Sequence, residues 1–276
     1  MWHFEHSVVT RAPRDEAWRY LTDFRNHVRL EKGVDRIELD GPFATGTTGR
    51  TVSGGLAQDW TLTEVVDGAR FAIKGETEDG TGSLRFVWNL EDDEGGGTRL
   101  TQRIEAAGSA MAEVEELRAM ERGVPASMAR VVVELDAVAN KAVVRRFYEE
   151  VVSTGDVERV PSFIGEECVE TDGRVRVESG IEGMIEHVRG VRSVYPDLRI
   201  TVGRQVAEGD WVASAITATG THAGEWLGMA PTGQVLEFTG VNVDRVVDGR
   251  IVEHGGAANM LMPFLEAGAR RPVAQR

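Results

Sequence analysis

The residues best suited to proton-transfer chemistry lie near the end of the chain. Asn242 and Asp244 alternate with Val241 and Val243, and in an extended strand residues two apart share a face. Leu236 and Phe238 have the same phase, so the pattern points Asn242 and Asp244 inward and Val241 and Val243 outward, toward solvent or a second copy of the chain. A carboxyl group inside an apolar cavity resists ionisation, and that resistance makes it a stronger base. Glu253 and His254 are strand neighbours facing opposite ways, so one of the two reaches the same interior. His222 ends an earlier strand just before Gly224, where an imidazole either orients a carbonyl or shapes the loop. Tyr148 admits two readings: a phenol donating to a developing enolate oxygen, or a core aromatic whose hydroxyl reaches the rim.

Other chemistries find little support. Lys32, Lys74 and Lys141 are the lysines among 31 basic residues, and none sits in an apolar stretch suited to a Schiff base. No two-His-plus-carboxylate spacing suggests a metal site. No Ser/His/Asp order, P-loop or GxGxxG fingerprint is present. His3, His6, His27 and His187 read as surface or packing residues.

The elements that must position these groups fall into two halves. In the first, His3–Thr10 is extended, and Pro13 with Asp15 and Glu16 opens a helix carrying Ala17, Trp18 and Leu21. From Gly33 to Ala106 strands alternate with turns at Asp67-Gly68, Asp79-Gly80 and Gly95-Gly96-Gly97. Leu84, Phe86, Trp88 and Leu90 form one strand face, and a long helix carrying Pro125 closes the half. Trp18, Tyr20, Phe24, Trp60, Arg85 and Trp88 are its candidate cavity residues. The second half opens with a helix over 141–152. Another helix capped by Asp156 carries Val160, Phe163 and Ile164, and a third starts at Ser179-Gly180-Ile181-Glu182 with capping-box spacing and stops at Pro196. Strands follow at 199–207, 211–222, 234–247 and 250–256. The fold class is α+β, with an antiparallel sheet around a long terminal helix in residues 1–139 and a cone-shaped α+β barrel in residues 140–276.

Length agrees with two domains, since 276 residues exceed the usual single-domain size of ~100–150. The formal net charge of −14, from 45 acidic against 31 basic residues, repels phosphate backbones and anionic lipid. Nucleic acid and membrane are therefore poor partners. One cysteine, Cys168, excludes an intramolecular disulfide, and the residues at the start of the sequence lack a signal-peptide pattern, so a reducing cytoplasm is the expected location.

Motifs of the second half resemble the SnoaL-like polyketide cyclase family, which shares the cone fold of ketosteroid isomerases. They run from Val144-Arg145-Arg146-Phe147-Tyr148 and Thr154-Gly155-Asp156 through Tyr195-Pro196-Asp197-Leu198 to Thr219-Gly220-Thr221-His222-Ala223-Gly224-Glu225-Trp226. Asp248-Gly249-Arg250-Ile251-Val252-Glu253-His254 completes the series. The first half is similar to the START-like polyketide cyclase/dehydrase superfamily through Ala12-Pro13, Ala17-Trp18, Leu39-Asp40-Gly41-Pro42-Phe43 and Gly46-Thr47. The resemblance implies cofactor-independent, intramolecular aldol closure of an aromatic polyketide ring in antibiotic or other secondary metabolism, with a hydrophobic polycarbonyl substrate. Outward-facing Val241 and Val243 predict a homodimer through the sheet of the second half.

It also implies site residues. Asp244, His254, His222 and Tyr148 are the candidate catalytic groups. Asn242, Asn259, Trp226, Phe238 and Asp172 are candidate substrate contacts, joined by Trp88, Trp60 and Arg85 in the first half. Asn242 stands about where isomerase relatives carry an oxyanion-hole acid. Asn259 stands where relatives carry an acid after the last strand, and a carboxamide cannot act as base. Either Asp244, Asp172, Glu253 or His254 supplies the base, or the protein is a non-catalytic binder or carrier of a polyketide-like ligand. An epoxide-hydrolase reading finds no inward charges on the strand after Trp211.

Overall fold

The computed structural model describes residues 1–171, 175–226, 228–259 and 261–268. Asp172 lies outside the described residues. The chain divides into two compact units, Met1–Asp136 and Ala137–Arg276. No helix among the described residues is long and apolar enough to cross a membrane.

Unit 1 contains β1 (Trp2–Thr10), α1 (Arg14–Thr22), α2 (Phe24–Leu30), β2 (Val34–Leu39), β3 (Thr48–Ser53), β4 (Leu56–Val66), β5 (Arg70–Glu76), β6 (Ser83–Asp92) and β7 (Thr98–Ala107). The strands form one antiparallel sheet in the order β1-β7-β6-β5-β4-β3-β2. Pro13 precedes α1 with Asp15 and Glu16 in the first turn, a placement that suits the positive end of the helix dipole. Ala17, Trp18 and Leu21 are buried on α1, where Trp18 meets Phe71 edge-on at 5.9 Å. Helix α3 (Val114–Arg146) contains Pro125 without breaking, and its Leu117, Met128, Val131 and Leu135 are buried.

Unit 2 begins within α3, whose end passes into a π-helical turn over Phe147–Val152, with the N–H of Ser153 bonded to the carbonyl of Tyr148 at 3.0 Å. A short 3-10 helix covers Val157–Ser162, and β8 (Ile164–Thr171), β9 (Arg176–Glu178), α4 (Gly180–Val194), β10 (Arg199–Glu208), β11 (Trp211–Thr221), β12 (Val235–Val247), β13 (Arg250–Ala258) and α5 (Leu261–Glu266) follow. The sheet order is β10-β11-β12-β13-β8-β9, antiparallel except where β8 runs parallel to β13. Phe147 and Val151 pack with Met184 and Val188 of α4 and with Val212, Val246 and Ile251 of the sheet. Both units are α+β, as the sequence pattern indicates.

Several local expectations need correction. The segment after Asp156 is a 3-10 turn rather than a helix through Ile164, and the Asp156 side chain caps nothing. Ile164 instead opens β8. Ser179 starts α4 without a capping bond; its Oγ donates to the Cys168 carbonyl at 3.3 Å.

Candidate active site

Strand register creates the centre of the site. On β12 and β13, Asp244 and His254 are directly opposed cross-strand partners. Side chains of such a pair stand on one face within about 5 Å of each other. Here the Asp244 carboxylate accepts a hydrogen bond from His254 Nδ1 at 2.8 Å, and Asp244 has no solvent exposure. The other carboxylate oxygen accepts from the Tyr148 hydroxyl at 2.8 Å. That phenol oxygen also lies 3.3 Å from His254 Nδ1 and interacts with the Asn242 amide. Tyr148 reaches inward because the π-helical turn carries it there; such turns recur at functional sites.

The electrostatics assign protons. Burial opposes a charged His254, but the hydrogen bond and the charge of Asp244 win, so its pKa is raised above the ordinary imidazole value. Burial, and then the Asp244 charge, push the Tyr148 phenol well up, so it stays protonated and donating. Asp244 only accepts, which places the His254 proton on Nδ1 and leaves Nε2 as the nitrogen open to a ligand.

Tyr148, Asn242 and His254 line a cavity of about 510 Å³, with Asp244 behind them, and that volume is within the ~300–1,000 Å³ range of small-molecule sites. Its wall is mostly apolar, including Phe147, Ile216, Trp226 and Phe238. Asn242, His254 and His187 supply polar groups. Gly256 keeps this floor open, since a Cβ there would overlap the Asn242 amide oxygen. Among the described residues no group of three His, Cys, Asp or Glu side chains is placed to hold a metal ion.

The sequence candidates sort unequally. Asp244, His254, Tyr148, Asn242, Trp226 and Phe238 come together around this cavity. Glu253 faces the other way and forms a bidentate pair with Arg176, at 2.7 and 3.0 Å. As for the two readings of Tyr148, its hydroxyl hydrogen bond is directed to Asp244 within the wall of the cavity. His222 is wholly buried outside the cavity lining, edge-on to Phe264 at 4.8 Å, and its Nδ1 accepts from the Thr232 N–H at 3.3 Å. Burial lowers its pKa. It shapes the loop. Asn259 is exposed, and its backbone N–H bonds to the Thr239 carbonyl at 2.8 Å.

His187, which reads from sequence as a surface or packing residue, lines the cavity, with Nδ1 2.6 Å from Glu170 Oε2. The spacing Met184, His187, Val188, Val191 carries the signal, because it sets the histidine on the apolar stripe of α4.

Unit 1 holds a separate cavity of about 250 Å³, lined by aromatic side chains including Phe24, Trp60, Phe71, Phe86 and Trp88. His27 also lines it, bonded through Nε2 to the Leu21 carbonyl at 2.8 Å, and burial lowers its pKa. No carboxylate is present in this lining. Arg85 is not part of it either. Neighbouring Leu84 and Phe86 take the inner face of β6, while Arg85 pairs with Glu64 at 2.8 Å and Glu105 at 3.1 Å.

Comparison with known proteins adds family context. Residues 1–140 match the family model described as polyketide cyclase/dehydrase and lipid transport, and residues 142–265 match that of the SnoaL-like polyketide cyclases. The aklanonic acid methyl ester cyclase AcmA of Streptomyces galilaeus is 34% identical over 70 residues, covering 23% of this chain. The matched stretch is 49% of AcmA, so this chain spans about half the length of that curated relative. The crystal structure of AclR from Streptomyces galilaeus, described as a candidate hydroxylase, is 30% identical over 48% of this chain and 97% of its own, with a TM-score of 0.43. That of IdmH from Streptomyces antibioticus, described as a candidate polyketide cyclase, is 29% identical over 47% and 98%, with a TM-score of 0.41.

Proposed function

The chain belongs to the polyketide cyclase/dehydrase and lipid transport family over residues 1–140 and to the SnoaL-like polyketide cyclase family over residues 142–265, and on that premise we propose that it is a cofactor-independent cyclase that closes a ring of an aromatic polyketide by an intramolecular aldol reaction. The observation that carries this reading is the buried Asp244–His254 pair at the wall of a largely apolar cavity. In the reaction, Nε2 of His254 takes a proton from the carbon between two substrate carbonyls. Asp244 holds the ring in the productive tautomer and stabilises the imidazolium. Tyr148 satisfies the second oxygen of Asp244 and thereby fixes the carboxylate. The apolar wall excludes the water that would stabilise the ground state and protonate the enolate.

For unit 1 the proposed role is binding rather than turnover. Its cavity holds aromatic faces suited to a flat ring, lacks a carboxylate and has its histidine tied to a backbone carbonyl. For the assembly we propose a homodimer through the outer face of the unit 2 sheet, where Val206, Trp211, Val241 and Val243 are exposed.

The test is ring closure of an aromatic polyketide methyl ester by the full chain and by Asp244→Asn. Turnover lost in the variant supports the reading. Saturable binding with no turnover by the wild-type chain across several such esters supports the carrier reading instead.

A further inference from the structure

The cavity of unit 2 contains a second imidazole–carboxylate pair that the chemistry above leaves unused. Glu170 on β8 is in register with His254 on β13, so the two strands set its carboxylate beside the first pair. His187, reaching in from α4, places its Nδ1 2.6 Å from Glu170 Oε2. The hydrogen bond from His187 holds the Glu170 carboxyl below its usual range against the effect of burial, so Glu170 accepts and the ring proton sits on Nδ1. As with His254, Nε2 is the nitrogen left for a ligand. The two rings stand perpendicular with centroids 5.6 Å apart. They differ in depth: the His254 side chain is 12% exposed, the His187 side chain 39%. Packing does not require a histidine there, since Met184 and Val188 supply the buried face of α4.

We infer that His187 is the general acid of the ring closure, acting on the acceptor carbonyl while His254 acts on the donor carbon. This rests on the function proposed above. The C–H bond of the donor carbon breaks and its proton goes to His254 Nε2. The released electron pair forms the C–C bond to the acceptor carbonyl carbon. The carbonyl π pair moves to oxygen, which takes the Nε2 proton of the His187 imidazolium. The product is a β-hydroxy carbonyl isomeric with the substrate, so no co-reactant is consumed. Afterwards His254 carries one proton more and His187 one fewer, and water at the open side of the cavity restores both. Glu170 is a positioning residue: its carboxylate, 2.6 Å from Nδ1, orients the His187 ring so that Nε2 faces the ligand space.

The experiment separates the two proton transfers. In D2O, an aromatic polyketide methyl ester bearing a 1,3-dicarbonyl is followed for deuterium uptake at the donor carbon and for ring closure, with the wild-type chain, His187→Gln and Glu170→Gln. General acid catalysis contributes roughly 10²–10⁴-fold, so His187→Gln is expected to slow closure by about 10²-fold or more while deuterium uptake persists. Glu170→Gln is expected to produce the same split to a smaller degree. Both variants should remain folded by circular dichroism and still bind the ester saturably. Closure undiminished in His187→Gln overturns the assignment. So does an equal loss of uptake and closure, which would make His187 part of the cavity wall only. A wild-type chain that neither exchanges nor closes any such ester overturns the cyclase reading itself and is told apart by the missing exchange.

Discussion

Asp244 and His254 face each other across β12 and β13, joined by a 2.8 Å hydrogen bond from Nδ1 to a carboxylate with no solvent exposure. Because a buried carboxylate raises the affinity of the ring for a proton, the base works best above the ordinary imidazole pKa of about 6.5. Activity that depends on neutral His254 therefore rises with pH through that raised value. In Asp244→Asn the burial penalty remains without the compensating charge, so the acidic limb of the pH–rate profile should move to lower pH. Turnover should drop by about 10²–10⁴-fold, the range seen when general base catalysis is disabled. Initial rates between pH 5 and 9 for both proteins measure this. An acidic limb that stays in place would mean that the pair does not titrate in the rate-limiting step.

The same raised pKa affects folding, and its sign is fixed. A group that binds its proton more tightly folded than unfolded stabilises the fold below its unfolded pKa and loses that contribution as pH rises through the folded value. The stability difference between the wild-type chain and His254→Gln, from urea unfolding, should accordingly be fully present below the ordinary imidazole value of about 6.5 and narrow as pH rises through the raised folded value.

Tyr148→Phe removes the donor to the second oxygen of Asp244 and leaves a buried acceptor unpaired. Such a loss costs about 1–3 kcal/mol. The variant should unfold at lower denaturant concentration and retain reduced turnover, because His254 still holds the carboxylate. Wild-type stability in this variant would show that water or another group takes the place of the phenol.

Cys168 is wholly buried, and burial followed by the Glu170 charge pushes its thiol up to about 12. The thiolate is the reactive form, so the native chain at pH 8 should resist maleimide or Ellman's reagent until denaturant is added. Rapid labelling of the folded protein would show that β8 opens.

Much of this site was legible in the residue pattern, and what was not has a physical reason. Leu236, Phe238, Asn242 and Asp244 keep one phase along β12, and that alternation alone set Asp244 inward. For Glu253 and His254 the same period of two says only that one of them faces the cavity, and the register of His254 opposite Asp244 decides which. Strand β8 escaped because Ile164, Gly165 and Cys168 are buried around an exposed Glu166-Glu167 pair, a pattern with no alternation to read. Without β8 in place, Glu170 had no neighbour and His187 no partner, so a histidine on the stripe of α4 looked like packing. Tyr148 stands out in the sequence, but its hydrogen-bond acceptor is 96 residues away, and only the folded strands with the π-helical turn bring the two together.

The central claim is that His254, held by Asp244, removes the substrate proton in the unit 2 cavity. Deuterium uptake from D2O at the donor carbon of an aromatic polyketide methyl ester, compared between the wild-type chain and His254→Gln, tests it most directly. Measurable uptake by the wild type and a loss of at least about 10²-fold in the variant are expected, with folding intact. Uptake at the wild-type rate in His254→Gln would contradict it.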